Sequence, residues 1–195
     1  MNILFFDAET TGFLDRYNRL SYQPHLVQLG ALLVDHDQNV FDEMTEIVKP
    51  DGWEIPENAA NIHGITTDMA DTYGKPLNDV LGKFMTLSLR ADIIVSYNYE
   101  FDGNVIKIEM IRTYGADSAD KWRSEKSVSY CPMRLMTNLC KIPFVGNPNK
   151  YRYPNMMESY EFLFHKKYDD PHTAFSDVLA LKDIFFELVK RDMIG

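Results

Sequence analysis

Residues 3–12 read ILFFDAETTG, and the reading of this stretch decides how the chain is built. Ile3 to Ala8 is apolar toward both faces, as expected of a central strand covered on both sides. Side chains alternate along a strand, so Asp7 and Glu9 share a side with Ile3 and Phe5. Their carboxylates emerge where that apolar face ends. Thr10-Thr11-Gly12 follows, two hydroxyls and a flexible turn that can hold a terminal sugar or phosphate. Working outward, Leu26–Asp35 (LVQLGALLVD) and Val40–Val48 (VFDEMTEIV) read as two further strands. The DHDQN segment at 35–39 makes their hairpin turn, and Pro50-Asp51-Gly52 ends the meander.

Helices and strands alternate beyond that point. The pattern predicts a short helix at Glu57–Ile62, a longer one at Leu77–Leu89, a buried strand at Asp92–Ser96 and a helix at Phe101–Tyr114 stopped by Gly115. Residues 116–127 read as polar loop, Val128–Tyr130 as a short edge strand and Met133–Leu139 as a helix. Ile142–Pro154, with three prolines and a glycine, reads as a long surface loop. Helices at Met156–Phe164 and Ala174–Met193 complete the chain. The expectation is a single α/β domain over 1–195: a mixed sheet, meander plus later strands, with helices on both faces.

Bulk properties narrow the function. A chain of 195 residues can bury a sizeable single core. No apolar run reaches the ~18 residues of a membrane span, and no signal peptide is visible. Cys131 and Cys140 lack metal-ligand companions, so free buried thiols in a reducing cytoplasm are expected. The net charge of −9 argues against a long track along duplex nucleic acid, which needs a basic face. Two divalent cations on four clustered carboxylates would leave about −5. That balance suits a grip on one short strand end through metals.

Four acids carry the chemistry. Besides Asp7 and Glu9, Asp102 follows Asn98 in SYNYEFDGNVI, and Asp177 closes HTAFSD, five residues after His172. Each lies in or beside an apolar run, where an unpaired carboxylate is costly or becomes protonated. Four such acids at strand ends and helix starts suggest a shared cation site. Taken singly, each has a plainer alternative. D-x-E also fits a solvated turn, Asp102 and Asp177 fit acids complementing a helix N-terminus, and Asn98 fits an orienting role. Asp177, however, begins the row Asp177, Leu181, Ile184, Leu188, a buried stripe at helical spacing. His172 stands just before that helix on a Pro171-led approach, suited to a general base.

D-A-E-T-T-G, N-Y-E-F-D and H-x-A-x-x-D, in this order, resemble the three motifs of the DEDD superfamily of 3′→5′ exonucleases. The His five residues before the last Asp resembles the DEDDh branch, which includes the bacterial proofreading subunit, oligoribonuclease and ribonuclease T. The resemblance runs from residue 3 to about 190, and the IHGIT segment at 62–66 is similar to the proofreading-type members. It implies an RNase H-like fold with a five-stranded mixed sheet. It also implies two Mg²⁺ or Mn²⁺ ions on Asp7, Glu9, Asp102 and Asp177, with His172 activating water. The implied activity is 3′→5′ hydrolysis of single-stranded DNA to nucleoside 5′-monophosphates. The alternatives are an exoribonuclease or a non-catalytic binding module.

Substrate grip is expected from Thr10, Thr11, Asn98 and two aromatic–basic loops. Arg16, Tyr17, Arg19 and Tyr22 lie in the first, at 13–25. Lys150-Tyr151-Arg152-Tyr153 alternates charge and ring in the second. His63 reads as a turn or packing residue, and Cys131–Leu135 and Tyr160–Phe164 as core helices. Proofreading subunits often extend further to bind a polymerase. This chain stops at Gly195 after its last helix, so a free-standing nuclease is expected, with docking through a domain surface left open.

Overall fold

A computed structural model describes residues 1–17, 19–169 and 171–194, together with every side chain among them except that of Pro148. Asn18, in the loop expected at 13–25, and Gly195, at the end of the expected domain, lie outside the described residues. The strands are β1 (Asn2–Thr10), β2 (Leu26–Asp35), β3 (Val40–Ile47), β4 (Ile93–Val95) and β5 (Val128–Tyr130). They form one sheet in the order β3-β2-β1-β4-β5, antiparallel across β1, β2 and β3 and parallel across β1, β4 and β5. The expected meander and mixed sheet are therefore present.

The double-sided reading of ILFFDAETTG also holds. Leu4, Phe6 and Ala8 pack with α3 (Leu77–Ser88) and α4 (Tyr99–Tyr114) on one face. Ile3 and Phe5 pack on the other with α5 (Pro132–Cys140), α6 (Met156–Phe164) and α7 (Ala174–Lys190). The row Leu181, Ile184 and Leu188 of α7 is buried in that second core. Two short helices, α1 (Glu57–His63) and α2 (Thr67–Tyr73), cover the open side of the meander around Val27.

Three expectations need correction. Ile142–Pro154 is not a plain loop: β6 (Pro143–Phe144) and β7 (Asn147–Tyr151) pair as a small hairpin. Gly146, at φ +83°, supplies its left-handed turn. The polar segment 116–127 carries Trp122, which is buried against Phe6 and Phe84. The helix α2 has no counterpart in the predicted elements. Its short run carries few apolar residues, and Thr66 caps it by accepting from the Met69 N–H.

Candidate active site

The acids come together because three elements end at one place. Asp7 and Glu9 lie near the C-terminal end of β1, where the strand continues to Thr10. β4 runs parallel beside it, and the chain turns through Ser96–Asn98 into α4, which brings Asp102 in its first turn to the same sheet end. Asp177 arrives in the first turn of α7. Open α/β sheets place their ligands at this carboxyl end of parallel strands.

The sheet itself seats α7. Asp7 pairs with Gly30 and Glu9 with Gln28 across β1 and β2. A Cβ on Gly30 would stand 2.6 Å from the Ala174 carbonyl oxygen, so only glycine lets the helix start approach this closely. The Gln28 side chain accepts from the Ala174 N–H at 3.1 Å. Gln28 and Gly30 interrupt an otherwise apolar strand, and that interruption is the sequence signal for the helix seat.

One carboxylate oxygen from each of Asp7, Glu9 and Asp177 lies within 4.8 Å of the other two. Asp102 lines the same cleft, with its carboxylate held by the Ser96 hydroxyl. Burial first, and then the charges of Asp102, Asp177 and Glu9, push the Asp7 carboxyl well above the usual range. Glu9 is pushed up to about 8 by burial and by Asp177 and Asp102. Asp102 is pushed up to about 7, because burial outweighs the hydrogen bonds from Ser96 and nearby backbone N–H groups. Asp177 is raised by burial, against the opposing influence of Tyr168 and His172. No Lys or Arg among the described residues contributes to any of these shifts. Four carboxylates gathered without a lysine or arginine acting on them are a donor set of oxygens alone, which fits a hard divalent ion.

His172 is exposed and lines the same cleft as the acids. Its backbone takes φ +70°, and its backbone N–H donates to Asp177 Oδ2 at 3.2 Å. A family model described as Exonuclease, RNase_T, matches residues 4–185. The chain belongs to the RNase_T exonuclease family.

Solved structures of similar fold include Escherichia coli exonuclease I. Its complex with a dA16 oligonucleotide superposes with a TM-score of 0.76 at 19% identity, covering 97% of this chain and 41% of that one. A product-bound structure of exonuclease I gives 0.77 at 18%, covering 98% and 44%, and the zinc-bound E. coli complex with single-stranded DNA gives 0.76 at 20%, covering 97% and 40%. This RNase_T member thus spans about two-fifths of the exonuclease I chains it resembles. Sequence comparison with curated proteins gives no match. No helix among the described residues is long and apolar enough to cross a membrane.

The other expected contacts of this exonuclease-family chain are more scattered. The Thr10 hydroxyl donates to the Gly12 carbonyl at 2.7 Å, and the Thr11 hydroxyl accepts from the His25 N–H at 2.9 Å. Both therefore shape the turn beside the acids. Arg16 lies over the Tyr17 ring, and Arg19 lies over both Tyr17 and Tyr22 while pairing with Asp15. Tyr151 is exposed on β7, and Arg152 forks onto both oxygens of Glu158 at 2.8 and 2.5 Å. Neither Arg16, Tyr151 nor Arg152 lines the acid cleft.

The acid cleft is small, about 220 Å³, and a larger hollow lies beside it. A groove of about 950 Å³ opens between α4 and α5, and Asn98 lines both hollows. Tyr130, Met133, Arg134 and Tyr153 line the groove, so the helix expected to be core turns one basic residue outward. Arg134 stands 3.6 Å from Glu100, both well exposed.

Sequence reasoning missed Tyr168, whose hydroxyl donates to Asp177 Oδ1 at 2.5 Å. It sits nine residues before that acid, in no motif. Cys131 and Cys140 are free but only half-buried, against the expectation of buried thiols, and Cys131 Sγ donates to the Tyr97 carbonyl at 3.0 Å. His63 is buried and accepts the Ile65 N–H on Nδ1, a packing and turn role.

Proposed function

We propose that the chain is a DEDDh-type, metal-dependent 3′→5′ exonuclease that releases nucleoside 5′-monophosphates from single-stranded DNA. The observation that carries this reading is the approach of Asp7, Glu9 and Asp177 to within 4.8 Å, with no Lys or Arg among the described residues acting on their carboxyls. Asp7, Glu9, Asp102 and Asp177 would hold two Mg²⁺ or Mn²⁺ ions. Ions held there neutralise the phosphodiester, acidify a water and stabilise the departing 3′-oxygen.

The chain's own residues orient and move protons. Asp7, within reach of both Glu9 and Asp177, would set the shared position, and the Ser96 hydroxyl that donates to Asp102 would orient that carboxylate. His172, exposed at the rim, takes the proton of the attacking water, a task suited to an imidazole near neutral pH. Asn98 borders both hollows, so a strand whose terminal phosphodiester lies at the acids can continue into the groove beside α5. Tyr130 and Tyr153 offer rings for bases there, and Arg134 offers a cation for a phosphate. DNA is favoured because the resembling E. coli exonuclease I is seen with dA16 and with dT13.

The test is a time course on matched 5′-labelled single-stranded DNA and RNA, with Mg²⁺, Mn²⁺ or EDTA. A metal-dependent ladder shrinking from the 3′ end is expected, faster on DNA. Faster loss of RNA would make the enzyme an exoribonuclease. No cleavage of either, with Asp7→Ala indistinguishable from the parent in metal binding, would leave a binding module. His172→Ala is expected to slow turnover by ~10²–10⁴-fold with Mn²⁺ affinity preserved. A near-parental rate would assign the base elsewhere.

A further inference from the structure

We propose that Tyr168 is a positioning residue that fixes the Asp177 carboxylate for metal binding. The inference rests on the reading of Asp177 as a metal ligand. Tyr168 lies in the segment that joins α6 to α7, four residues before His172. Its hydroxyl donates to Asp177 Oδ1 at 2.5 Å, while the His172 backbone N–H donates to Oδ2 at 3.2 Å. One carboxylate is thus gripped at both oxygens by the segment that carries the candidate base. Two donors on two oxygens fix its rotation, and one of its oxygens lies within 4.8 Å of an oxygen of Asp7 and of one of Glu9.

The ring of Tyr168 is itself held. It stands edge-on to Tyr160 with centroids 5.2 Å apart, and Tyr160 in turn packs on Phe164 at 4.5 Å. A phenol braced from behind gives its hydrogen bond a set direction, which a mobile Ser or a water would not. The hydroxyl contacts Asp177 rather than the cleft's mouth, and Tyr168 is not among the residues that line the cleft. It therefore acts through the ligand and not on the substrate. Hydrogen bonds to ligating carboxylates of this kind typically carry 10–100-fold in metal affinity.

Tyr168→Phe keeps the ring and its packing and removes only the hydroxyl. Mn²⁺ binding is measured by calorimetry on the full chain without substrate, for the parent, Tyr168→Phe and Asp177→Asn, alongside metal-free melting. Tyr168→Phe is expected to weaken Mn²⁺ by about 10–100-fold at an unchanged metal-free melting temperature. Its turnover should fall at limiting Mn²⁺ and recover at saturating Mn²⁺, with KM for DNA unmoved. Parental Mn²⁺ affinity in Tyr168→Phe, with binding lost in Asp177→Asn, would overturn the role of Tyr168 alone. A fall in metal-free melting that accompanies the loss of affinity would make the residue structural and overturn it too. Parental binding in Asp177→Asn would remove the metal reading and, with it, this inference.

Discussion

Helix α4 carries two buried carboxylates, Asp102 and Glu109, two turns apart, and their surroundings differ in one respect. Glu109 has a cation. Its Oε1 accepts from Arg112 at 2.8 Å and from the Leu26 N–H at 3.0 Å. Arg112 also donates to the carbonyls of Leu20, Gln23 and Pro24, tying the loop before β2 to the helix. Asp102 has a hydroxyl and backbone donors, and its nearest charged neighbours are other acids. The Glu109 region supplies its own cation and acts as a fastener, although Oε2 has no hydrogen-bond partner among the described residues and burial still raises the carboxyl against Arg112. The Asp102 region gathers negative charge that the chain does not neutralise, an arrangement that serves binding at a cost to the fold.

The largest effect should come from removing charge where it is unpaired. Asp7→Asn is expected to drop turnover to background and abolish Mn²⁺ binding, because the acid within reach of both Glu9 and Asp177 loses its charge. The same change should raise the metal-free melting temperature, since burial and three neighbouring acids oppose ionisation of Asp7. Calorimetry and melting on one preparation check both. A lower metal-free melting temperature would break the contrast, because the acid cluster would then be holding the fold together.

Removing charge where it is paired should have the opposite sign. Arg112→Met leaves Glu109 buried without its cation and frees three loop carbonyls. A cost of about 3–5 kcal/mol is expected in urea unfolding, as for other broken buried pairs. A loss below about 1 kcal/mol would mean that Glu109 simply takes up a proton, and that the pair is no more of a fastener than a surface ion pair.

The acids were legible in the sequence because strand alternation and helical spacing are local rules. Asp7 and Glu9 follow period two, and Asp177 leads a row at i, i+4 and i+7. The fold followed from the same periodicities. What stayed hidden depends on contacts between distant segments. Trp122 belongs to a polar stretch, yet its ring fills a gap against Phe6 and Phe84. Tyr168 reaches Asp177 only because the segment before α7 folds back on that helix. Arg152 reads as a phosphate contact from its alternation with tyrosines, but Glu158 claims its fork. That pairing had a local signal, since Asn155 and Glu158 form a capping box at the start of α6.

A smaller effect, and the one that sharpens the contrast most, is the slope of stability with pH. The carboxyl of Glu9 titrates near 8 in the folded protein against 4.5 for its ordinary value, and Asp7 is also raised. Between those limits the folded state binds more protons than the unfolded state, so metal-free stability should fall as pH rises from about 4.5 to 8. Glu46 has the reverse sign. Lys75 at 2.7 Å and Lys83 at 2.9 Å hold its carboxyl below the usual range, against its burial. Its contribution is present above the unfolded pKa and is lost only as pH falls below about 4.5. Melting of the parent and of Asp7→Asn from pH 4 to pH 8.5 separates the two. The difference between the curves isolates Asp7: the parent should lose ground to the variant as pH rises, and saturating Mn²⁺ should flatten the parent's decline. A constant offset between the two proteins across that range would mean that the acids are already ionised at pH 4.5, and that the cluster tolerates its charge without a cation.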